Sequence, residues 1–343
     1  MAKWAINHQA LKNVLVTGGA GLIGSHLIDR LLKEKYQVTC VDNFITGRKE
    51  NLAQVTSDKN FKLVIADASQ PPESYLPRRR AGQLPVNSAR GRSSFGRSYD
   101  FIFHLASPAS PRGYMDNPFA TYKVNSFGTH YLLRFAKAQK ARFLFASTSE
   151  VYGNPKIHPQ PETYWGNVNP NGVRSVYDES KRFGEMVCKT FERQHKMDIR
   201  IVRIFNTYGP RNDPFDGRVV PNFTVQALKN DPITVYGDGS QTRSFCYVTD
   251  LVDGLMKMMF RPKLKGEVIN LGNPEEFKVL ELAEKIKQLT DSQSEIIFKS
   301  QPEDDPDRRK PDITKAKKLL GWQPTISLEK GLPPTIDYFR NLI

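Results

Sequence analysis

Two tyrosine–lysine pairs, Tyr152/Lys156 and Tyr177/Lys181, bring a phenol and an ammonium four residues apart, a combination that can move a proton. A phenol is a poor base at neutral pH because its ordinary pKa is near 10; a neighbouring ammonium stabilises the phenolate and lowers that value. With 13 tyrosines and abundant lysine, about one such spacing is expected by chance, so the surrounding element must discriminate. Gly153 and Pro155 break a helix after Tyr152 and keep its pair off a shared face. Ser175–His195 contains no proline and one glycine, so a helix there stacks Tyr177 and Lys181 on one side. Tyr177 is the expected general base, with Lys181 as its helper.

A second group of residues has phosphate chemistry. Gly18-Gly19-Ala20-Gly21-Leu22-Ile23-Gly24 follows the strand-like run Asn13–Thr17 and opens the helical stretch Leu22–Lys33. Gly18, Gly21 and Gly24 allow a tight turn, close approach of the backbone to a pyrophosphate, and close helix–strand packing. Asp42 ends the next strand-like run, 24 residues beyond Gly18, where a carboxylate accepts both ribose hydroxyls of NAD and repels the 2′-phosphate of NADP. NAD is the expected cofactor, although Arg48 and Lys49 stand near enough in sequence to leave NADP open. Asp67 ends a third run, where it either reaches the adenine edge or caps its own loop. Ala146–Tyr152 follows a fifth run, which places Thr148 to share a hydrogen bond with a reacting hydroxyl; Ser149 and Glu150 add a polar pair or cap the next turn.

Positioning these groups requires a particular scaffold. Asn13–Thr17, Gln37–Val41, Lys62–Ala66, Asp100–Leu105, Arg142–Ser147 and Ile199–Phe205 read as buried strands alternating with helix-length stretches. That rhythm predicts an α/β protein: a doubly wound parallel-sheet Rossmann domain with a smaller, loop-rich C-terminal lobe. The expected division is 1–206 for the dinucleotide-binding domain and 207–343 for the substrate lobe, with 247–272 returning to the first domain as a helix (Val248–Met259) and a strand (Gly266–Leu271). Pro71–Ser98 breaks the pattern and reads as a solvated Arg-rich loop insertion.

Composition narrows the classes. No apolar stretch reaches the roughly 18 residues that span a bilayer, and the first residues have no apolar core of a signal peptide. Three scattered cysteines and six dispersed histidines form neither a disulfide framework nor a metal site, which fits a cytoplasmic protein without metal. Of the net charge of +14, six units come from arginines between Ser74 and Tyr99, a segment without acids. A basic nucleic-acid-binding protein is the competing class, but aromatic interleaving for base stacking is sparse there.

The stretches VTGGAGLIGSHL, VDNFITGRKENL, FHLASPASP, FASTSEVYGNP, YDESKR, RIFNTYGPR, GRVVPNF, VYGDGSQTRSF, NLGNPEE and RKPD together resemble the UDP-glucuronic acid decarboxylases of the extended short-chain dehydrogenase/reductase superfamily, from about Asn13 to Phe339. The Thr148-Ser149-Glu150 run resembles the decarboxylase form, where related 4,6-dehydratases carry Thr-Asp-Glu; an extra carboxylate would repel a uronate. The resemblance implies that UDP-glucuronate becomes UDP-xylose through a 4-keto intermediate, with NAD regenerated. The related alternatives are release of a UDP-4-keto-pentose, 4,6-dehydration and 4-epimerisation. It further implies that Glu150 and Arg309 orient the ring and its carboxylate and that Ser149 helps carry a proton. The cofactor set extends to Leu22, Ile23, Asn43, Phe44, Gly47, Leu105 and Ala106. The nucleotide-sugar contacts become Pro108, Ser110, Arg112, Tyr114, Asn206, Arg218, Val220, Tyr236, Gln241 and Arg243, with Arg243 on the diphosphate. A homodimer through helices containing Phe119–Lys137 and Tyr177–Gln194 is implied as well, with no nucleic-acid or membrane partner.

Overall fold

The structure, a computed structural model, describes residues 12–76 and 98–343; of the Arg-rich insertion, residues 77–97 lie outside the described residues. Seven parallel strands form the main sheet: β1 (Asn13–Thr17), β2 (Gln37–Asp42), β3 (Phe61–Ile65), β4 (Phe101–His104), β5 (Arg142–Thr148), β6 (Ile199–Ile204) and β7 (Val268–Leu271). Their order, β7-β6-β5-β4-β1-β2-β3, reverses direction between β1 and β4. At such a switch point the loops leaving the two strands diverge and open a crevice at the carboxyl edge. The expected doubly wound sheet is present, with strand ends shifted by a residue or two. β3 is the exception in burial: as an edge strand it is only half covered, and Ile65 is exposed.

Helices α1 (Leu22–Lys33), α2 (Thr129–Gln139), α3 (Ser175–His195) and α4 (Val248–Phe260) belong to the two layers that cover the sheet. Leu27, Ile28, Leu31 and Leu32 of α1 recur at helical spacing and join Leu251, Leu255 and Met258 of α4 in one core. Leu132, Leu133 and Ala136 of α2 meet Val187 and Cys188 of α3 across the other face. Ile313–Trp322, sequence from the C-terminal third, also packs into the first core, and the Trp322 indole donates to the Asp250 carbonyl at 2.9 Å.

A third core, around Phe223, Ile233, Leu282, Leu332 and Ile336, belongs to the smaller lobe. Its strand pairs are short: Ile233–Tyr236 beside Ile296–Lys299, and Thr242–Ser244 between Glu276–Lys278 and Arg308–Arg309. In the last of these, Arg309 stands directly across from Arg243.

Candidate active site

A cavity of about 720 Å³ runs between the carboxyl edge of the sheet and the smaller lobe. Its walls bring together almost every residue expected from the sequence, from Gly18 and Asp42 at one end, past Leu105, Ala106 and Tyr177, to Arg243 and Arg309.

At the first end, Gly18 adopts φ +75°, and a Cβ there would stand 2.6 Å from the Ala106 backbone, so only glycine lets β1 turn this closely past the end of β4. Gly21 caps α1 without a side-chain hydrogen bond, and the first turn has no acid. The helix N-terminus thus offers free backbone donors and positive potential, which suit a pyrophosphate. Asp42 accepts the Ala20 and Phe44 backbone N–H groups, both at 2.8 Å. Burial pushes its carboxyl upward and those bonds oppose the shift. These features fit a dinucleotide: Gly18, Gly21 to Gly24, Asp42, Asn43 and Gly47 would hold it, with Leu105 and Ala106 beneath. Phe44 has φ 59°, and its ring packs against the α1 core and under the Lys49 ammonium. Its contribution is the N–H given to Asp42. Asp67 borders the cavity and also caps its loop, accepting the Ser69 N–H at 2.8 Å.

At mid-cavity, α3 presents Tyr177 and Lys181 on its buried face. Thr148, the last residue of β5, hydrogen-bonds the Tyr177 hydroxyl, while its own oxygen accepts the Glu150 N–H at 3.2 Å. Lys181 Nζ donates to the Ala146 carbonyl at 2.8 Å and lies 5.8 Å from the Tyr177 ring centre. Electrostatics here differ from the sequence expectation. Burial raises the Tyr177 phenol well above its ordinary value, against the Thr148 bond and the Arg218 charge, and lowers the Lys181 ammonium to about 7. Desolvation disfavours both charged forms. The second pair is structural: the Tyr152 hydroxyl donates to Asn270 Oδ1 at 2.8 Å and accepts from Arg203 Nη1 at 3.0 Å, far from Lys156 chemistry.

The far end contains charges that sequence reasoning missed. One oxygen of Glu150 is paired with Arg309 Nη1 and the other accepts from Arg174 Nη2 at 2.8 Å. Arg174 continues to Asp305 at 3.2 Å, and Asp305 to Arg243 at 2.8 Å. Burial pushes Glu150 upward, but Arg309 and Arg174 together hold it down at about 2. Behind them Asp178 is raised to about 8 by burial and the Glu150 charge, and its Oδ1 has no hydrogen-bond partner. Arg174 and Asp305 lie outside the quoted stretches, and Asp178 stands inside YDESKR without a role there; their signal is tertiary.

The remaining expected residues share the same walls. Ser110 caps the short helix Pro111–Asp116 by accepting the Gly113 N–H. Arg112 donates to the Phe215 carbonyl, and Arg218 is paired with Asp216 at 2.5 Å. The Gln241 amide donates to the Tyr236 carbonyl at 2.6 Å. Pro108, Ser149, Asn206 and Val220 border the cavity.

Residues 14–272 match the model of the NAD dependent epimerase/dehydratase family. The chain belongs to this family. Within it, the chain is 49% identical over 329 residues to UDP-glucuronic acid decarboxylase 1 of Xenopus tropicalis, covering 96% of this chain and 72% of that protein. It is 50% identical over 333 residues to UDP-glucuronic acid decarboxylase 2 of Arabidopsis thaliana, covering 96% and 68%. Among solved structures, UDP-glucuronic acid 4-epimerase from Bacillus cereus, in complex with UDP-glucuronic acid and NAD, superposes with a TM-score of 0.81 at 28% identity, covering 96% of this chain and all of that one. NAD dependence is thus a family property that the Gly18–Asp42 end of the cavity suits.

Proposed function

We propose that this chain, an NAD-dependent decarboxylase, converts UDP-glucuronate to UDP-xylose and CO₂ through a 4-keto-uronic acid. The observation that carries this reading is the order of charges at the far end of the cavity. Arg243, Asp305, Arg174, Glu150 and Arg309 alternate in sign and begin and end on arginine, beside Asp178, whose carboxyl is raised by burial and by the Glu150 charge. A diphosphate and a uronate carboxylate are the anions that such a row attracts.

NAD, when bound at the glycine-rich turn, supplies the acceptor for the C4 hydrogen and returns it at the end of the cycle. Tyr177 acts in its phenolate form, taking the C4 hydroxyl proton and becoming the phenol, with Thr148 holding the oxygen. The 4-keto acid then loses CO₂ as the C5–C6 bonding electrons delocalise onto the C4 oxygen. Tyr177, whose raised phenol keeps its proton, and Thr148 both donate hydrogen bonds to that oxygen. Arg309 orients the departing carboxylate, and Ser149 helps carry the proton to C5.

Two further proposals accompany this one. Phe119, Phe127, Phe183 and Met186 are exposed on α3 and on the helical segment 118–128 packed against it, an apolar patch that supports a homodimer. All three cysteines are free and buried, which suits a cytoplasmic protein; no helix among the described residues is long and apolar enough to cross a membrane.

The test is mass-spectrometric product analysis of purified protein with UDP-glucuronate and no added cofactor. UDP-xylose and CO₂ without NADH accumulation are expected. Absence of CO₂ overturns the reading, UDP-galacturonate marks an epimerase, and accumulating NADH with a 4-keto-pentose marks the truncated cycle.

A further inference from the structure

Ala146, Ser147 and Thr148, consecutive at the end of β5, each hold a residue of α3. Thr148 hydrogen-bonds the Tyr177 hydroxyl, the Ala146 carbonyl accepts from Lys181 Nζ at 2.8 Å, and the Ser147 hydroxyl donates to Glu185 at 2.6 Å. Tyr177, Lys181 and Glu185 follow one another at intervals of four, so they share one face of the helix. Tyr177 and Lys181 line the cavity, whereas both oxygens of Glu185 accept from Arg203 of β6, at 2.9 and 2.8 Å. This fork-to-carboxylate pair is nearly buried, each side chain being 13% exposed. Arg203 also donates to the Tyr152 hydroxyl at 3.0 Å and to the Glu162 carbonyl at 3.1 Å, its guanidinium 4.9 Å from the Tyr152 ring centre. Tyr152, structural in its own pair, thus anchors a clamp on the helix of Tyr177.

A buried ion pair is weak evidence of stability, and its effect on a neighbour is the better clue. Lys181 makes no ion pair among the described residues: its ammonium meets a carbonyl and the rings of Phe145 and Tyr177, 5.0 and 5.8 Å from their centres. Such a site strips the ammonium of water, and burial lowers it to about 7. Glu150, Asp178 and Arg218 face Tyr177. Nearer Lys181, burial holds His104 at the end of β4 down at about 3 and raises the Cys188 thiol well above its ordinary value, so neither brings charge at neutral pH. Glu185 is then the anion one helical turn from the ammonium, and Arg203 and Ser147 fix where that charge sits. We propose that Glu185 is a positioning residue for the Tyr177–Lys181 pair: clamped by Arg203 and Ser147, its carboxylate keeps the Lys181 ammonium charged beside the Tyr177 hydroxyl. Its effect on turnover rests on the decarboxylase reading.

The test follows the Lys181 side chain of NAD-loaded protein by NMR with carbon-13-labelled lysine, the signal assigned by its loss in Lys181→Arg, alongside the pH profile of UDP-xylose formation. Glu185→Gln removes the anion and keeps the shape; the Lys181 titration and the alkaline limb of kcat, where the pair loses its last proton, should both move down by roughly 0.5–1 pH unit. Arg203→Gln leaves the anion unopposed and should move both up. Glu185→Asp restores the charge and should recover most of the native titration. Because Arg203→Gln strands a buried carboxylate and destabilises the fold, the two Glu185 variants decide the matter by themselves. A Lys181 titration unchanged in Glu185→Gln, or lowered equally in Glu185→Asp, assigns the clamp a structural role and overturns the inference. A shifted titration with an unmoved alkaline limb denies the ammonium a part in turnover and overturns it too. A shifted titration in a chain whose native form makes no UDP-xylose supports the coupling and overturns the decarboxylase reading alone.

Discussion

The rings of Tyr114 and Tyr177 lie nearly parallel, their centres 5.1 Å apart and their planes inclined by 6°. The stack fixes the ring of the proposed base, and Thr148 then fixes its hydroxyl. Position and chemistry are therefore separable in this residue.

Tyr177→Phe keeps the stack and deletes only the hydroxyl. UDP-xylose formation should fall by about 10³-fold or more, with NAD affinity within about twofold of native, as measured by product mass spectrometry and calorimetric titration. Substantial retained turnover would remove Tyr177 from the role of base.

Arg309 is 2% exposed and paired with Glu150. Breaking a buried pair leaves the surviving charge uncompensated, though here Arg174 still serves Glu150. Arg309→Met should abolish decarboxylation and cost up to about 3 kcal/mol in denaturant unfolding. Adding Glu150→Gln should recover part of that stability, and strict additivity of the two changes would argue against the coupling.

Asp178 sets a pH dependence. Its folded carboxyl is raised to about 8 from an ordinary 3.8, so between those values the unfolded chain has released a proton that the folded chain retains. Stability therefore falls as pH rises through that window and stays reduced above it. Asp178→Asn cannot ionise: its melting temperature should match native near pH 4 and exceed it by a few degrees, roughly 3–6 °C, near pH 8.5. A pH-independent difference would contradict the assignment.

Gly24 faces the turn it follows: a Cβ there would overlap the Gly18 carbonyl oxygen and stand 2.7 Å from Gly19 Cα. Gly24→Ala should push the α1 terminus away from that turn and abolish the stabilisation that NAD gives in thermal unfolding. A normal NAD shift would show that the turn relaxes without cost.

Phe183 and Phe119 are 47% and 69% exposed. Phe183→Arg should yield monomers in sedimentation velocity if these faces join two copies. An unchanged sedimentation coefficient would place the contact elsewhere.

Legibility from sequence followed the range of the determinants. The glycine-rich turn and the helix Ser175–His195 depend on neighbours within a few residues, and both stand where the pattern put them. Phe44 entered only through the resemblance, and its left-handed backbone is nothing that periodicity encodes. Arg174, Asp178 and Asp305 were illegible for another reason: Glu150 meets Arg174 across 24 positions, and Asp305 meets it across 131. The balance at Tyr177 and Lys181 was read backwards because spacing reports proximity, whereas burial, a property of the whole fold, dominates both groups.

Arg309 and Arg243 stand opposite each other on adjacent strands of the smaller lobe, and strands in a sheet keep a separation of about 4.8 Å. A ladder of this kind works as a caliper. The guanidinium proposed to face a diphosphate and the one proposed to face a carboxylate are anchored on neighbouring strands, so under the proposed function a ligand would be gauged by the distance between its two anions. A nucleotide sugar whose carboxylate lies at another ring position would satisfy one jaw and miss the other.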